Sequence, residues 1–226
     1  MIARQFFKTL SYLFHPIFMP LLGMYFLFSL ETRPLSYYRL DALYYFAPEA
    51  KKFLYIVIGI LTLVAPLLSL IIMYYNKMIS SLSLEKREDR IYPFILVSFY
   101  YLLAYFFVRY RVPPDWQHPG MLGALFGMLL VFAISFIANF YIKISIHAAG
   151  IFGLAGTLLG YSQTQLPGFA QEGPTNLYVI LYVFLVAGLV CGGRLYLKAH
   201  KLSEVLLGML VGFSVMYTSV KFGLFI

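Results

Sequence analysis

The chain has 226 residues, of which 62% are hydrophobic and 12% are charged, and its mean hydropathy is +0.82. Because a soluble domain carries roughly 25% charged residues, this composition excludes a water-soluble globular fold and predicts an integral membrane protein. The 17 basic and 9 acidic residues give a net charge of +8, which in membrane proteins usually lies in loops facing lipid headgroups or anionic substrates. Nucleic acid is a poorer partner, since no basic helix stands clear of the apolar segments.

Seven apolar segments are long enough to cross a bilayer as helices. A hydrocarbon core of about 30 Å requires about 20 apolar residues. The fourth and fifth segments are separated by only three residues, so a tight helical hairpin or a shared re-entrant turn is expected between them. We therefore predict one all-α transmembrane domain over residues 1–226 with about seven helices. The segments fall at roughly 12–30, 53–75, 91–109, 119–141, 145–163, 176–194 and 203–222.

The first segment begins in MIARQFFKTLSYLFHPIF, which has no small-residue cleavage site after its apolar run. It is therefore interpreted as part of a membrane helix rather than as a cleaved signal peptide. The connection at 31–52 is rich in Tyr and Arg and is predicted to lie at the membrane interface as a short amphipathic piece. The single cysteine, Cys191, lies inside an apolar segment, which excludes an intrachain disulfide and a cysteine-based metal site.

Three polar clusters are predicted to lie on the same face of the membrane. With seven spans, alternate loops share a side, and the loops near 77–90, 142–144 and 195–202 fall together. A helix bundle builds a site in this way, with each helix end contributing a few groups. The clusters are LEKREDR at 84–90, Lys143 with SIH at 145–147, and the stretch from Arg194 to Glu204.

The chemistry of these clusters favours a phosphate. Arginines and lysines grouped around His147 and His200 suit an anion with several oxygens. A histidine can attack phosphorus when a carboxylate, here Glu204, holds its other ring nitrogen, and a second histidine can protonate the departing oxygen. The sequence contains no Gly-rich phosphate loop, no His-Glu-x-x-His helix and no Asp-rich cluster. A mechanism without a metal or another cofactor is therefore favoured.

The last cluster resembles the third signature of the type 2 phosphatidic acid phosphatase family, which shares its core with vanadium haloperoxidases. That signature is Ser-Arg, five residues, His, three residues, Asp. Here it reads Gly193-Arg194, five residues, His200, three residues and Glu204. The resemblance covers about residues 77–210 and implies a phosphatase-like core there.

The two earlier clusters resemble the other signatures of the same family in the same order. The second signature, Pro-Ser-Gly-His, reads Ile-Ser-Ile-His at 144–147. The first, Lys, six residues, Arg-Pro, is matched loosely by EKREDRIYP. In that stretch Arg90 is the arginine, the proline comes two residues late, and Lys86 or Arg87 takes the place of the lysine.

The resemblance implies hydrolysis of a lipid phosphate or pyrophosphate through a phosphohistidine, without a metal. Bacterial members of the family imply a location in the inner membrane. His200 would be the nucleophile, Glu204 would orient it, and His147 would be the acid. The phosphate would be held by Arg194, Arg90, Ser145 and Lys86 or Arg87.

The departures from the family pattern bear on activity. Glutamate at 204 moves the carboxylate by one methylene relative to aspartate, which alters the placement of the nucleophile. Ile144 and Ile146 replace proline and glycine, which hinders the approach of a phosphate to the backbone. These changes leave open an alternative of a different class, a catalytically inactive descendant that binds phosphorylated lipids or scaffolds partners.

Two further alternatives concern the same residues. A small-solute transporter is less favoured, because the polar groups cluster at one surface whereas transporter sites lie near the midplane. Ser203 and Glu204 can also be a helix cap and a first-turn acid, in which case Glu204 need not face His200. The phosphatase interpretation requires both histidines, Arg194 and a first-cluster cation to surround one pocket.

Overall fold

The computed structural model describes residues 2–31, 42–82, 84, 88–164 and 175–223, and every regular element in these residues is helical. We number the α-helices in chain order. They are α1 (Ile2–Leu13), α2 (Met19–Ser29), α3 (Pro48–Gly59), α4 (Ala65–Tyr75), α5 (Ile91–Arg111), α6 (Pro119–Ala138), α7 (Ile146–Thr164), α8 (Thr175–Tyr196) and α9 (Leu202–Phe222).

Six helical stretches in the described residues are long and apolar enough to cross a membrane, which supports the predicted multi-pass membrane protein. Two of these stretches each contain two α-helices. A short 3-10 helix at Pro16–Phe18 lies between α1 and α2, and a π-helical turn at Ile60–Val64 joins α3 to α4. The predicted fifth span, 145–163, corresponds to α7, which falls outside these six. The six stretches are Ile2–Ser29, Pro48–Tyr75, Glu88–Arg111, Pro119–Ala138, Asn176–Tyr196 and Leu202–Phe222.

Helix α7 differs from the other long helices because its sequence is rich in glycine and alanine and most of its residues are buried. Small residues allow membrane helices to pack at short distances. A Cβ atom on Gly156 would lie 2.5 Å from the carbonyl oxygen of Phe213 in α9, and a Cβ on Gly212 would collide with the carbonyl of Ala149. The two helices therefore meet backbone to backbone. Because α7 is surrounded by other helices rather than by lipid, it can be less hydrophobic than the six stretches above.

The predicted first span, 12–30, is interrupted in the structure. Pro16 lacks a backbone N–H and disfavours helical geometry in the residue before it. His15 accordingly has an extended backbone, and its Nδ1 accepts a hydrogen bond from the Ile17 amide at 3.3 Å. Helix α1 ends before this break, and its Phe7 ring packs 5.1 Å from the ring of Tyr196 at the end of α8.

Loops predicted to share a membrane face do lie at the same end of the bundle. At one end, the Ser145 amide donates to the Glu204 carbonyl at 3.1 Å. At the other end, the Leu43 amide donates to the Tyr161 hydroxyl at 3.0 Å. The connection between α6 and α7 is longer than predicted, because α6 ends at Ala138. Of the interfacial piece predicted for 31–52, residues 32–41 lie outside the described residues, and the part that follows forms a short 3-10 helix at Leu43–Tyr45 and the start of α3.

Candidate functional site

A cavity of about 120 Å³ lies at the end of the bundle where the three polar clusters meet. Five basic side chains from four parts of the chain contribute to its wall, and the rest of the wall is mainly apolar. The two arginines make one end of this apolar cavity positive, and the three histidines add polar ring nitrogens. The basic residues are His15, Arg90, His147, Arg194 and His200.

His200 and Glu204 form the best-defined pair in this site. The Nδ1 atom of His200 lies 2.8 Å from Oε2 of Glu204, and the Lys201 amide donates to the same oxygen at 3.2 Å. Because the carboxylate accepts, Nδ1 carries a hydrogen in the neutral ring and Nε2 keeps its lone pair. Glu204 is thus both the helix-capping acid and the partner of His200, and the two interpretations describe one side chain.

The surroundings of His200 keep its ring neutral. Burial lowers the pKa of His200 from 6.5 to about 4. The hydrogen bond to Glu204 opposes this effect, whereas the positive charges of Arg194, Arg90 and Lys143 add to it. A neutral imidazole with a free Nε2 lone pair is the form that attacks an electrophile.

Arg90 lies at the start of α5 and is mostly buried. Its Nε donates to the Leu84 carbonyl at 2.9 Å, and one terminal nitrogen donates to the Ile144 carbonyl at 3.1 Å. These bonds use two of the five N–H groups of the guanidinium and tie the first polar cluster to the second. Arg90 therefore links the segments around Leu84 and Ile144 that border the cavity, and it also contributes a positive charge to the cavity.

His147 lines the cavity from the first turn of α7. Its Nε2 lies 3.2 Å from the Ser11 carbonyl oxygen, which can only accept. The hydrogen of the neutral ring therefore belongs on Nε2, and Nδ1 is the ring nitrogen left for proton transfer. This contact also fastens α1 to the site.

His15 also lines the cavity, although no role is predicted for it from the sequence. Its ring centroid lies 5.2 Å from that of His147, with the rings nearly perpendicular. Because Nδ1 of His15 accepts from the Ile17 amide, the neutral ring carries its hydrogen on Nε2. The signal in the sequence was the pair His15-Pro16, which interrupts an apolar helix.

Arg194 lies in the last turn of α8 and lines the same cavity as the histidines. A cation is favoured at this position by the partial negative charge of the helix C-terminus. Its charge acts on both Arg90 and His200. Two guanidinium groups near one histidine pair favour an anionic ligand over a neutral one.

Ser145, which is predicted to contact the phosphate, lies at the contact between α7 and α9. Its side chain is fully buried, and Oγ lies 3.5 Å from the Ala148 amide at the start of α7. The residue does not contribute to the cavity wall, because the backbone bond to Glu204 draws it into the contact between α7 and α9. The remaining predicted contacts, Lys86 and Arg87, lie outside the described residues.

The described residues contain no group of three or more His, Cys, Asp or Glu side chains that could hold a metal ion. Comparisons of the chain with protein-family models, with curated proteins and with solved structures find no match. What the cavity can do chemically is inferred from its own side chains: it can bind an anion, offer a lone pair at His200 and transfer a proton at His147.

Proposed function

We propose that this protein hydrolyses a lipid phosphate or pyrophosphate through a phosphohistidine formed on His200. The observation that supports it most is the 2.8 Å contact between His200 and Glu204 beside a cavity lined by two arginines. This contact directs Nδ1 toward the carboxylate and leaves Nε2 to attack. The resemblance of the three polar clusters to the phosphatase signatures points to the same reaction.

In the first step, the Nε2 lone pair attacks phosphorus and the bond to the leaving oxygen breaks. The leaving oxygen takes a proton from Nδ1 of His147, which enters this step as an imidazolium because its Nε2 hydrogen is donated to Ser11. The negative charge of the bound phosphate offsets the burial and the Arg194 charge that disfavour the protonated ring. The imidazole of His200 becomes cationic, and the Glu204 carboxylate stabilises this charge. Arg194 and Arg90 counter the negative charge of the phosphoryl oxygens.

In the second step, water attacks the phosphorus of the phosphohistidine. Neutral His147 accepts a proton from that water at Nδ1, the P–N bond breaks, and its electron pair returns to Nε2 of His200. Inorganic phosphate leaves, and both histidines return to their starting protonation states. The cycle therefore consumes one water for each phosphate released.

A lipid substrate agrees with the position and lining of the cavity. The polar residues lie at the ends of membrane helices, where headgroups are found, and the apolar wall continues into the bundle. An amphiphile with a phosphate at one end matches both parts. Phosphatidic acid, phosphatidylglycerol phosphate, polyprenyl pyrophosphate and phosphorylated lipid A all belong to this class.

The alternative is a catalytically inactive protein that binds phosphorylated lipids or scaffolds partners. Two observations favour it. Arg90 donates to two backbone carbonyls, and the Ser145 side chain lies at the start of α7, so both predicted phosphate contacts also hold the fold. Such a site keeps its positive charge, but fewer of its side-chain groups are left to hydrogen-bond the oxygens of a transferred phosphoryl group.

The test uses purified protein in detergent, a panel of lipid phosphates without added metal, and measurement of free phosphate. His200→Gln should abolish release and retain lipid binding. His118→Gln is the matched control, because His118 caps α6 at the opposite end of the bundle. Binding without hydrolysis in the wild type would support the inactive alternative, and hydrolysis that survives His200→Gln would contradict the phosphohistidine.

A further inference from the structure

A second cavity, of about 50 Å³, lies deeper in the bundle and meets the first. The two cavities share four wall residues, so the same side chains border both. The deeper one follows α7 from Ile146 to Thr157, which is about 16 Å along the helix axis at 1.5 Å per residue. We call it the inner chamber. The shared residues are Pro16, Tyr101, Phe132 and Ile146.

The inner chamber exists because α7 carries small residues where it faces α2 and α9. A Cβ atom on Gly150 would lie 3.2 Å from Met19, and one on Gly153 would lie 3.2 Å from Met216. A larger residue at either position would displace the methionine beside it and change the shape of the chamber. The chamber is therefore closed by flexible methionine side chains on two sides.

The chamber is unsuited to water. A buried water needs two to four polar partners, whereas a cavity lined by apolar side chains stays dry and takes apolar ligands. Among its described wall residues, the Thr157 hydroxyl donates to the Gly153 carbonyl of its own helix. Ser135 adds one buried hydroxyl without a hydrogen-bond partner in the described residues. Tyr101 adds a second hydroxyl, and two hydroxyls hold at most one water rather than a chain of waters.

We propose that the inner chamber binds a few methylenes of the hydrocarbon tail of the phosphorylated substrate while the phosphate lies against His200. This inference rests on the proposed function and adds a tail-binding site to it. The tail enters between Pro16 and Ile146, which border both cavities, and runs along α7 instead of remaining in the bilayer. Gly150 and Gly153 then set the length and width of tail that the protein accepts.

The first experiment measures the binding of alkylphosphonates, whose P–C bond the proposed reaction does not cleave. Protein in nanodiscs is titrated with butyl, hexyl, octyl and dodecyl phosphonate, and protein-free nanodiscs correct for partitioning. In the wild type, affinity should rise by up to about four-fold per methylene until the chamber is full. Gly153→Leu should stop this rise at a shorter chain and leave butyl phosphonate binding unchanged.

Gly188→Leu is the matched control, because a Cβ atom at Gly188 meets nothing within 4 Å and the residue lies on the exposed side of α8. It should bind every phosphonate as the wild type does. Met216→Ala is the second variant and enlarges the chamber, so it should extend the rise in affinity to longer chains. This variant keeps the test valid if Gly153→Leu fails to fold.

The outcomes separate the chamber from the catalytic proposal. If the variants change the chain-length profile of phosphonate binding but no alkyl phosphate is hydrolysed, the chamber stands and the enzymatic function fails. If alkyl phosphates are hydrolysed but neither variant changes the dependence on chain length, the enzyme stands and the chamber is refuted. In that case the tail remains in the bilayer.

Discussion

Replacing Glu204 with glutamine tests the charge of the site while keeping its shape. In the structure, Oε2 of Glu204 accepts from both His200 Nδ1 and the Lys201 amide. The carbonyl oxygen of glutamine can accept the same two bonds. The substitution therefore removes one negative charge beside the nucleophile, and the cap of α9 is retained.

The size of the effect follows from the geometry. With 2.8 Å between Nδ1 and Oε2, the centres of the imidazolium and carboxylate charges lie about 4 Å apart. At an effective dielectric constant of about 20, a pair at that distance interacts by about 4 kcal/mol. This energy is available once His200 becomes cationic and is much smaller while the ring is neutral. Glu204→Gln should therefore lower kcat by about a thousand-fold.

The assay is phosphate release from the best lipid phosphate of the panel, with the melting temperature measured in parallel. Glu49→Gln is the matched control, since Glu49 is also a first-turn acid, on α3. It should leave turnover unchanged. If Glu204→Gln keeps turnover and only lowers the melting temperature, Glu204 acts as a cap alone, and the phosphohistidine loses its positioning residue.

Three further outcomes are expected. Arg194→Ala should weaken binding of a phosphonate by about 2–5 kcal/mol, measured by titration in nanodiscs, because a desolvated anion loses its cation. Glu204→Asp should lower turnover, because the shorter side chain retracts the carboxylate by about 1.5 Å from Nδ1, and equal turnover would show that the backbone adapts. Burial keeps the pKa of His200 near 4, so an unfolded chain takes up a proton near pH 6.5 before the folded protein does. The free energy of unfolding should therefore be unaffected by His200 above pH 6.5 and fall by about 3 kcal/mol between pH 6.5 and 4. Melting curves of the wild type and His200→Gln should diverge over that range.

Much of the fold follows from local sequence. Long apolar runs predict membrane helices because backbone polar groups must be satisfied inside a bilayer, and six such stretches are present. The pairing of His200 with Glu204 does not follow from helix periodicity, because His200 precedes the extended N-cap residue Lys201 of α9 and reaches Glu204 from the turn before the helix. To predict which loops lie on the same face of the membrane, only the number of membrane-spanning segments was needed.

Other features depend on tertiary contacts that no local pattern contains. The role of Arg90 as a tie depends on where the Ile144 carbonyl lies, 54 residues along the chain. His15 reaches the cavity because Pro16 bends the first segment and α1 packs against α8. The burial of Ser145 follows from the close contact of α7 with α9. In each case a polar residue was visible in the sequence, but its partner was not.

The backbone contact of α7 with α9 also has a consequence for how this protein can vary. A shift of α9 by one residue along α7 would translate Glu204 by about 1.5 Å and rotate it by about 100° about the helix axis. The partner of His200 would then leave its position although no polar residue had changed. Gly212 lies against Ala149, more than two helical turns from Glu204. Because it fixes the position of α9 along α7, the site depends on Gly212 as much as on the histidines. In random mutagenesis scored by activity, substitutions at the contact between α7 and α9 should abolish activity as often as substitutions of the charged residues.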